Sequence, residues 1–196
     1  GGRPLSLGGD HSVTYPVLRA LGPRVNDLTI LQIDAHPDLY ADFEGDRFSH
    51  ACPFARIMED GLARRLVQVG IRTMNAHQRA QAERYGVHVI DMRAWAAGER
   101  PDLRGPLYLS IDLDGLDPAF VPGVSHREPG GLTVREVVTI VQALPVPIVG
   151  ADVVELNPIQ DASGASASVA AKLVREVASR MLASAVSPPV ARASQG

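Results

Sequence analysis

Short runs of apolar residues alternate along the chain with segments of helical periodicity. The runs are rich in Val, Ile and Leu and show little polar alternation, which is typical of strands buried on both faces. These runs predict strands over residues 4–7, 28–33, 66–69, 87–90, 107–111 and 147–154.

Two segments carry the clearest helical pattern. Apolar positions recur on one face of residues 133–144, where Thr133 and Glu136 match a capping box, so a helix is predicted there. Apolar positions at steps of four predict a last helix over residues 166–182. The alternation of strands and helices predicts a three-layer α/β/α fold with a mostly parallel sheet, whose function lies at the carboxyl ends of the strands.

No repeat, linker or shift in composition divides the chain, so we expect one domain over residues 1–186. Residues 187–196 are rich in Pro, Ser and Ala and are expected to fray. The chain opens on Gly1-Gly2-Arg3-Pro4 without methionine or a charged-then-apolar leader, which we interpret as the start of a fragment.

Composition narrows the function. The 196 residues have a formal net charge of −3 and no basic stripe, so we do not expect a nucleic-acid partner. No apolar stretch approaches about 18 residues, so no membrane span is predicted. The single cysteine, Cys52, excludes an internal disulfide and a cysteine zinc cluster, and it fits a reducing, cytoplasmic setting. Any metal must therefore be held by His, Asp and Glu.

Three predicted strands run directly into acids and imidazoles. The second is followed by Asp34, His36 and Asp38, and the fifth by Asp112 and Asp114. Because side chains alternate faces in an extended segment, the members of each set can point the same way. The first strand is followed by His11, which can reach the same point.

Four carboxylates converging with two neutral imidazoles would carry about −4 and could not all stay ionised without cations. Two divalent ions balance that charge, and an oxygen-rich donor set without sulfur suits Mn²⁺ better than a structural zinc. Taken singly, each Asp would more often cap a helix or turn, and a lone His11 would more often be a hydrogen-bonded structural histidine. Capping alone does not require such patterns after two different buried strands, so metal ligation is favoured.

Four motifs match a known family in order and spacing. They are Gly8-Gly9-Asp10-His11-Ser12, Asp34-Ala35-His36-Pro37-Asp38, Ser110-Ile111-Asp112-Leu113-Asp114-Gly115-Leu116-Asp117-Pro118 and Gly150-Ala151-Asp152-Val153-Val154-Glu155. With these motifs the chain resembles the ureohydrolases, the arginase and agmatinase family of binuclear manganese enzymes. Residues 41–59 and 124–132 are most similar to the plant-type arginase branch and its bacterial relatives.

The resemblance implies a role for each matched residue. Two Mn²⁺ per chain would be held, one by His11 and Asp38 and the other by His36 and Asp114, with Asp34 and Asp112 bridging them. His50 would act as proton shuttle and would contact the substrate, and Glu155 would hold its guanidinium group. Asp10 and Asp117 would orient ligands. The implied reaction is hydrolysis of arginine or agmatine to urea and an amine by a hydroxide that bridges the ions.

The residue types suit that chemistry. Two metals can lower the pKa of a shared water from about 15.7 to roughly 7, and Asp38 could orient the resulting hydroxide. A carboxylate such as Glu155 accepts the paired N–H groups of a guanidinium, and an imidazole such as His50 can protonate the leaving amine. The competing interpretations are a surface acid for Glu155 and, for His50, a cap on a helix that begins near Ser49. His126 follows a Gly/Pro turn and could line the mouth of the site.

Several alternatives stay open. A related metal-dependent amide deacetylase would use one zinc, and a non-catalytic metal-binding fragment would bind metal without turnover. The loop of residues 40–49 lacks the Asn- and Ser-rich pattern of animal-type arginases, so the guanidino substrate is undecided. The resemblance also implies a homo-oligomer, a trimer or hexamer, and it places the first strands at one edge of the sheet, before Gly1.

Overall fold

Six parallel strands form one sheet in the computed structural model, which describes residues 2–185. The strands are β1 (Leu5–Leu7), β2 (Thr29–Ile33), β3 (Arg65–Ile71), β4 (His88–Asp91), β5 (Leu107–Asp112) and β6 (Ile148–Val154). Their order across the sheet is β1-β6-β5-β2-β3-β4. All six predicted strands are confirmed, with ends that differ by at most two residues. Residues 187–196, which are expected to fray, lie outside the described part of the chain.

Six α-helices connect or follow the strands in the described residues. They are α1 (Thr14–Leu21), α2 (Pro53–Glu59), α3 (Ala76–Tyr85), α4 (Met92–Ala96), α5 (Val134–Ala143) and α6 (Ala165–Ala185). Short 3-10 helices occupy His11–Val13, Gly22–Arg24 and Leu113–Gly115. Within residues 2–185, no helix combines the length and apolar character needed to cross a membrane.

The helices cover both faces of the sheet. Because successive side chains of a strand alternate faces, neighbouring residues of β2 pack into different apolar cores. Ile30 belongs to the core formed with α1, α2 and α3, whereas Leu31 belongs to the core formed with α4, α5 and α6. The predicted three-layer α/β/α fold is therefore confirmed.

The predicted capping box starts α5. Thr133 Oγ1 accepts the backbone N–H of Glu136 (3.1 Å), and Glu136 Oε2 accepts the backbone N–H of Thr133 (2.8 Å). The other carboxylate oxygen of Glu136 accepts Trp95 Nε1–H at 2.9 Å, which ties α5 to α4.

The strand order positions the chemistry. From β2 the chain moves outward through β3 to β4, then crosses to β5 on the other side of β2. In open parallel sheets, ligands bind at the carboxyl ends of the strands where the direction of winding reverses. The carboxyl ends of β2 and β5 meet this condition, and Asp34 and Asp112 lie there.

Candidate metal centre

The carboxylates at the ends of β2 and β5 shape their own turns. Asp34 follows β2, and its Oδ1 accepts the backbone N–H of His36 at 2.6 Å. Asp112 ends β5, and its Oδ1 accepts the backbone N–H of Asp114 at 2.8 Å, which caps the 3-10 helix Leu113–Gly115. Each motif therefore turns the chain just after the strand and brings two or more side chains to the same edge.

His11 lies at the centre of three carboxylates. Its Nδ1 is 3.0 Å from Asp38 Oδ2, 3.2 Å from Asp34 Oδ2 and 3.2 Å from Asp112 Oδ2. Asp34 is also part of a second group, in which His36 Nδ1 lies 3.1 Å from Asp114 Oδ2 and 3.6 Å from Asp34 Oδ1. Two sets of ligand atoms that could each hold a metal ion therefore share Asp34.

The donor set fits metal ions. Apart from the half-buried His36, the residues of the two groups and Asp38 are all buried, and His11 and Asp34 are 1% and 0% exposed. His11 Nδ1 is buried and makes no hydrogen bond of acceptable geometry, although three carboxylate oxygens lie within 3.2 Å. A buried lone pair facing several carboxylate oxygens is the arrangement that a divalent ion satisfies.

The electrostatics of the cluster also favour bound cations. Burial, followed by the charge of Asp34, raises the pKa of Asp38 to about 7. Burial and neighbouring carboxylates likewise raise the pKa values of Asp112 and Asp114. Burial alone would lower the pKa of His36, but hydrogen bonds to Asp114 and Asp34 raise it to about 11. The carboxylates thus repel one another, and a cation would relieve this repulsion.

The cluster opens into a cavity of about 170 Å³ that also contains the two predicted substrate residues. His50 and Glu155 line it together with Asp38, Asp112 and Asp114. A larger cavity of about 710 Å³ lies beside α3 and β4, but none of the His/Asp ligand groups found in the described residues lies there. We therefore place the chemistry in the smaller cavity.

Glu155 is held by the backbone around it. It follows β6 with φ of 66°, a conformation that non-glycine residues adopt rarely and that is often found at functional sites. Asp38 has φ of 50°. Glu155 Oε1 accepts the backbone N–H of His11 at 2.8 Å, and burial raises the pKa of its carboxyl group.

His50 belongs to an aromatic wall. Its ring stacks on His126, with centroids 5.7 Å apart and an angle of 18°, and its other ring neighbour is Phe43 at 5.9 Å. His126 in turn meets His36 edge-on at 5.9 Å. Helix α2 begins only at Pro53 and its N-cap is Cys52, so His50 is not the cap of that helix.

The structure adds Arg72, which the sequence does not single out. Its guanidinium donates to five backbone carbonyls, those of Gly70, Asp114, Gly115, Leu116 and Glu128. Arg72 therefore holds the turn that contains Asp114 against the loop that contains His126. Every residue has a backbone carbonyl, so the partners of Arg72 are not marked by any particular residue type. No sequence pattern therefore indicates the role of Arg72.

Two buried glutamines support Asp34. Gln32 Nε2 donates to Asp34 Oδ2 at 2.7 Å, and Gln68 Nε2 donates to Gln32 Oε1 at 2.6 Å. The two glutamines are register partners on β2 and β3. By contrast, Asp10 caps the 3-10 helix that begins at His11, and Asp117 accepts backbone N–H groups of its own loop, so both act through the backbone.

Comparison with known proteins identifies the family. The profile described as "Arginase family" matches residues 1–179. The chain belongs to the arginase family. The resemblance predicted from the four motifs is thereby confirmed, and the family is metal-dependent.

Individual relatives come from plants and bacteria. The chain is 53% identical over 189 residues to "Arginase 1, mitochondrial" of Arabidopsis thaliana, covering 91% of this chain and 55% of that protein. It is 39% identical over 168 residues to "N(1)-aminopropylagmatine ureohydrolase" of Thermus thermophilus, covering 79% and 55%. The solved structure of arginase from Medicago truncatula superposes with a TM-score of 0.86 at 53% identity, covering 91% of this chain and 60% of that one. The chain spans about half the length of the curated relatives it matches.

The predicted cytoplasmic location is wrong by this comparison. The similar plant proteins are mitochondrial, or chloroplastic and mitochondrial, which points away from the cytoplasm. A single buried cysteine is compatible with any compartment that keeps thiols reduced, so composition could not distinguish among them.

Proposed function

We propose that this protein is a manganese-dependent amidinohydrolase that hydrolyses a guanidino compound, arginine or agmatine, to urea and an amine. The observation that carries the proposal is the pair of ligand groups sharing Asp34, which open into the cavity lined by His50 and Glu155. The chain's higher identity to arginases than to an agmatine-type ureohydrolase favours arginine as the better substrate.

Two Mn²⁺ ions would occupy the centre. His11 and Asp38 would bind one, His36 and Asp114 would bind the other, and Asp34 and Asp112 would bridge them. Six ligands with only two nitrogens and no sulfur suit a hard or borderline cation. When bound, the ions would make a water molecule more acidic and neutralise charge that develops during attack.

Glu155 would orient the substrate. One of its oxygens accepts the backbone N–H of His11, so the other is left to accept a guanidinium N–H. The carboxylates that line the same cavity favour a cationic group at this end. Together these features would hold a planar guanidinium carbon above the cluster.

The remaining residues would handle water and protons. The backbone of Asp38 has a left-handed conformation. Its carboxylate would accept a hydrogen bond from the attacking water and orient that water. His50, half-buried in the cavity wall, would give a proton from its imidazole to the departing amine nitrogen. Its stacking on His126 would keep the ring in place.

We also expect the protein to form a homo-oligomer, a trimer or hexamer, which light scattering would test.

Urea release tests the proposal. The protein is assayed with arginine and agmatine, with and without Mn²⁺, beside D112N and the matched control D91N. Asp91, like Asp112, is the last residue of its strand and caps the helix that follows, but it lies away from the cavity. We expect Mn²⁺-dependent urea release that D112N reduces at least 100-fold and D91N leaves within about twofold. No urea from either substrate, with metal bound, would favour a non-catalytic fragment, and acetate release from an acetylated amine would favour the deacetylase.

A further inference from the structure

Asp152 is a buried carboxylate that the proposed reaction does not use. It lies in the middle of β6 and is 0% exposed. Its register partner on β5 is Ser110, and Tyr108 lies two residues earlier on the same face of β5. A carboxylate so far from solvent requires several hydrogen-bond donors.

Three hydroxyl groups supply those donors. Ser110 Oγ donates to Asp152 Oδ1 at 2.6 Å, while Tyr108 Oη (2.7 Å) and Thr14 Oγ1 (2.9 Å) donate to Oδ2. Burial and the neighbouring carboxylate raise the pKa of Tyr108, so its phenol keeps the proton that it donates. Gly150 leaves space for the Tyr108 ring, because a Cβ there would lie 2.9 Å from it.

The hydrogen bonds of Ser110 then determine which nitrogen of His11 carries a proton. A serine hydroxyl has one proton to donate, and Ser110 uses it in the hydrogen bond to Asp152. Ser110 Oγ also lies 2.8 Å from His11 Nε2, so at this contact the hydroxyl must accept and Nε2 must donate. In the neutral ring, Nδ1 then has a free lone pair, and Nδ1 is the atom that faces Asp34, Asp38 and Asp112.

We propose that Asp152 is a positioning residue that acts through Ser110 to keep the proton of His11 on Nε2 and the lone pair of Nδ1 free for a metal ion. This inference rests on the proposed metal ligation by His11. Partners of this kind, which bind the nitrogen that does not contact the metal, typically account for 10- to 100-fold in metal affinity.

The substitution D152N tests the direction of the hydrogen bonds. Tyr108 and Thr14 both donate to one side of residue 152, so the asparagine carbonyl would take that side and its NH₂ would face Ser110. Ser110 Oγ would then accept a hydrogen bond from the NH₂ group of residue 152, and the Ser110 hydroxyl would donate a hydrogen bond to His11 Nε2. The ring proton would move to Nδ1 and block the metal-binding nitrogen. D152N should therefore weaken Mn²⁺ binding more than S110A, although Asp152 lies farther along the chain of bonds from His11.

The experiment is titration calorimetry of the chelator-treated protein with Mn²⁺, together with thermal unfolding of each metal-free variant. We expect affinity to fall 10- to 100-fold in D152N, less in S110A, and to stay within about twofold in Y108F, which removes a donor to Asp152 without touching the path to His11. The double variant D152N/S110A lacks the hydroxyl that would donate a hydrogen bond to Nε2, so the ring proton can stay on Nε2 and the variant should bind Mn²⁺ more tightly than D152N alone.

The outcomes separate the two proposals. Wild-type affinity in folded D152N, or a double variant that binds more weakly than D152N, overturns the role of Asp152. If D152N does not fold, S110A and Y108F decide, because equal affinities in these two would overturn it as well. Failure of the unsubstituted protein to bind Mn²⁺ overturns the metal centre itself and this inference with it.

Discussion

Oε1 of Glu155 accepts the backbone N–H of His11 at 2.8 Å, although the two residues are 144 positions apart. The contact joins the end of β6 to the 3-10 helix after β1. This hydrogen bond therefore holds the carboxylate proposed to bind the substrate against the backbone of the residue whose imidazole is proposed to bind a metal.

Substitution E155Q should remove the negative charge of residue 155 while keeping the size of its side chain. The amide oxygen of glutamine can still accept the N–H of His11, so the fold and metal content should be retained. The lost charge-assisted hydrogen bond to the guanidinium is worth about 1.5–3 kcal/mol, which predicts a KM roughly 10- to 150-fold higher. Steady-state kinetics with metal analysis checks this, and E83Q on the exposed side of α3 is the control. An unchanged KM would remove Glu155 from the substrate site.

The metal-free protein should lose stability as pH rises. Asp38, with its pKa raised to about 7, is destabilising once ionised, so its penalty is relieved as pH falls through 7. Protonated His36, with its pKa raised to about 11, stabilises the fold below its unfolded pKa near 6.5, and this contribution is lost as pH rises through 11. Between pH 5.5 and 8.5, both effects therefore lower the free energy of unfolding of the metal-free protein as pH rises.

Bound Mn²⁺ should reverse this trend, because metal binding needs deprotonated ligands and strengthens with pH. Thermal unfolding of chelator-treated and Mn²⁺-loaded protein at pH 5.5, 7 and 8.5 measures both. We expect the Tm of the chelated protein to fall across this series while the gap between loaded and chelated forms widens. A chelated protein whose Tm rises with pH would contradict the account.

Arg72 should matter for the stability of the fold. Substitution R72M would leave the carbonyls of Asp114 and Glu128 without the donors that now lie 2.6 Å away. Unsatisfied buried acceptors cost about 1–3 kcal/mol each, so we expect a loss of roughly 3 kcal/mol in the free energy of unfolding, measured in urea. R79M, on exposed α3, should change it by less than about 0.5 kcal/mol. Equal stability of the two variants would show that Arg72 does not fix the loop.

The cap of α5 provides a prediction that is independent of the metal centre. T133A would remove the side-chain acceptor of the Glu136 N–H and should lower the free energy of unfolding by about 1 kcal/mol. T139A, an exposed position of the same helix, is the control. Chemical denaturation measures both, with metal affinity unchanged in each.

The sequence predicts the strands well because buried parallel strands are continuous apolar runs. It does not indicate α3, whose sequence Ala-His-Gln-Arg-Ala-Gln-Ala-Glu-Arg-Tyr has no apolar face, and which begins with a capping box of Asn75 and Gln78. The α4 segment of five residues is too short to show a period.

The candidate ligands are predictable for a related reason. Asp34 directly follows β2 and Asp112 is the last residue of β5, so their placement depends on the sheet alone, and the pairing of these two strands brings them together. Arg72 and Gln68 could not be predicted in this way, because their partners are backbone carbonyls or a residue of another strand. The stacking of His50 on His126 depends on how two loops fold over the sheet, which no local pattern determines.

Anomalous diffraction from crystals of the Mn²⁺-loaded protein, collected at the manganese edge, tests the central claim most directly. We predict two peaks flanking the carboxylate of Asp34, one against His11 and Asp112 and the other against His36 and Asp114. A map with no peak at Asp34, or with only one peak there, would contradict the binuclear centre.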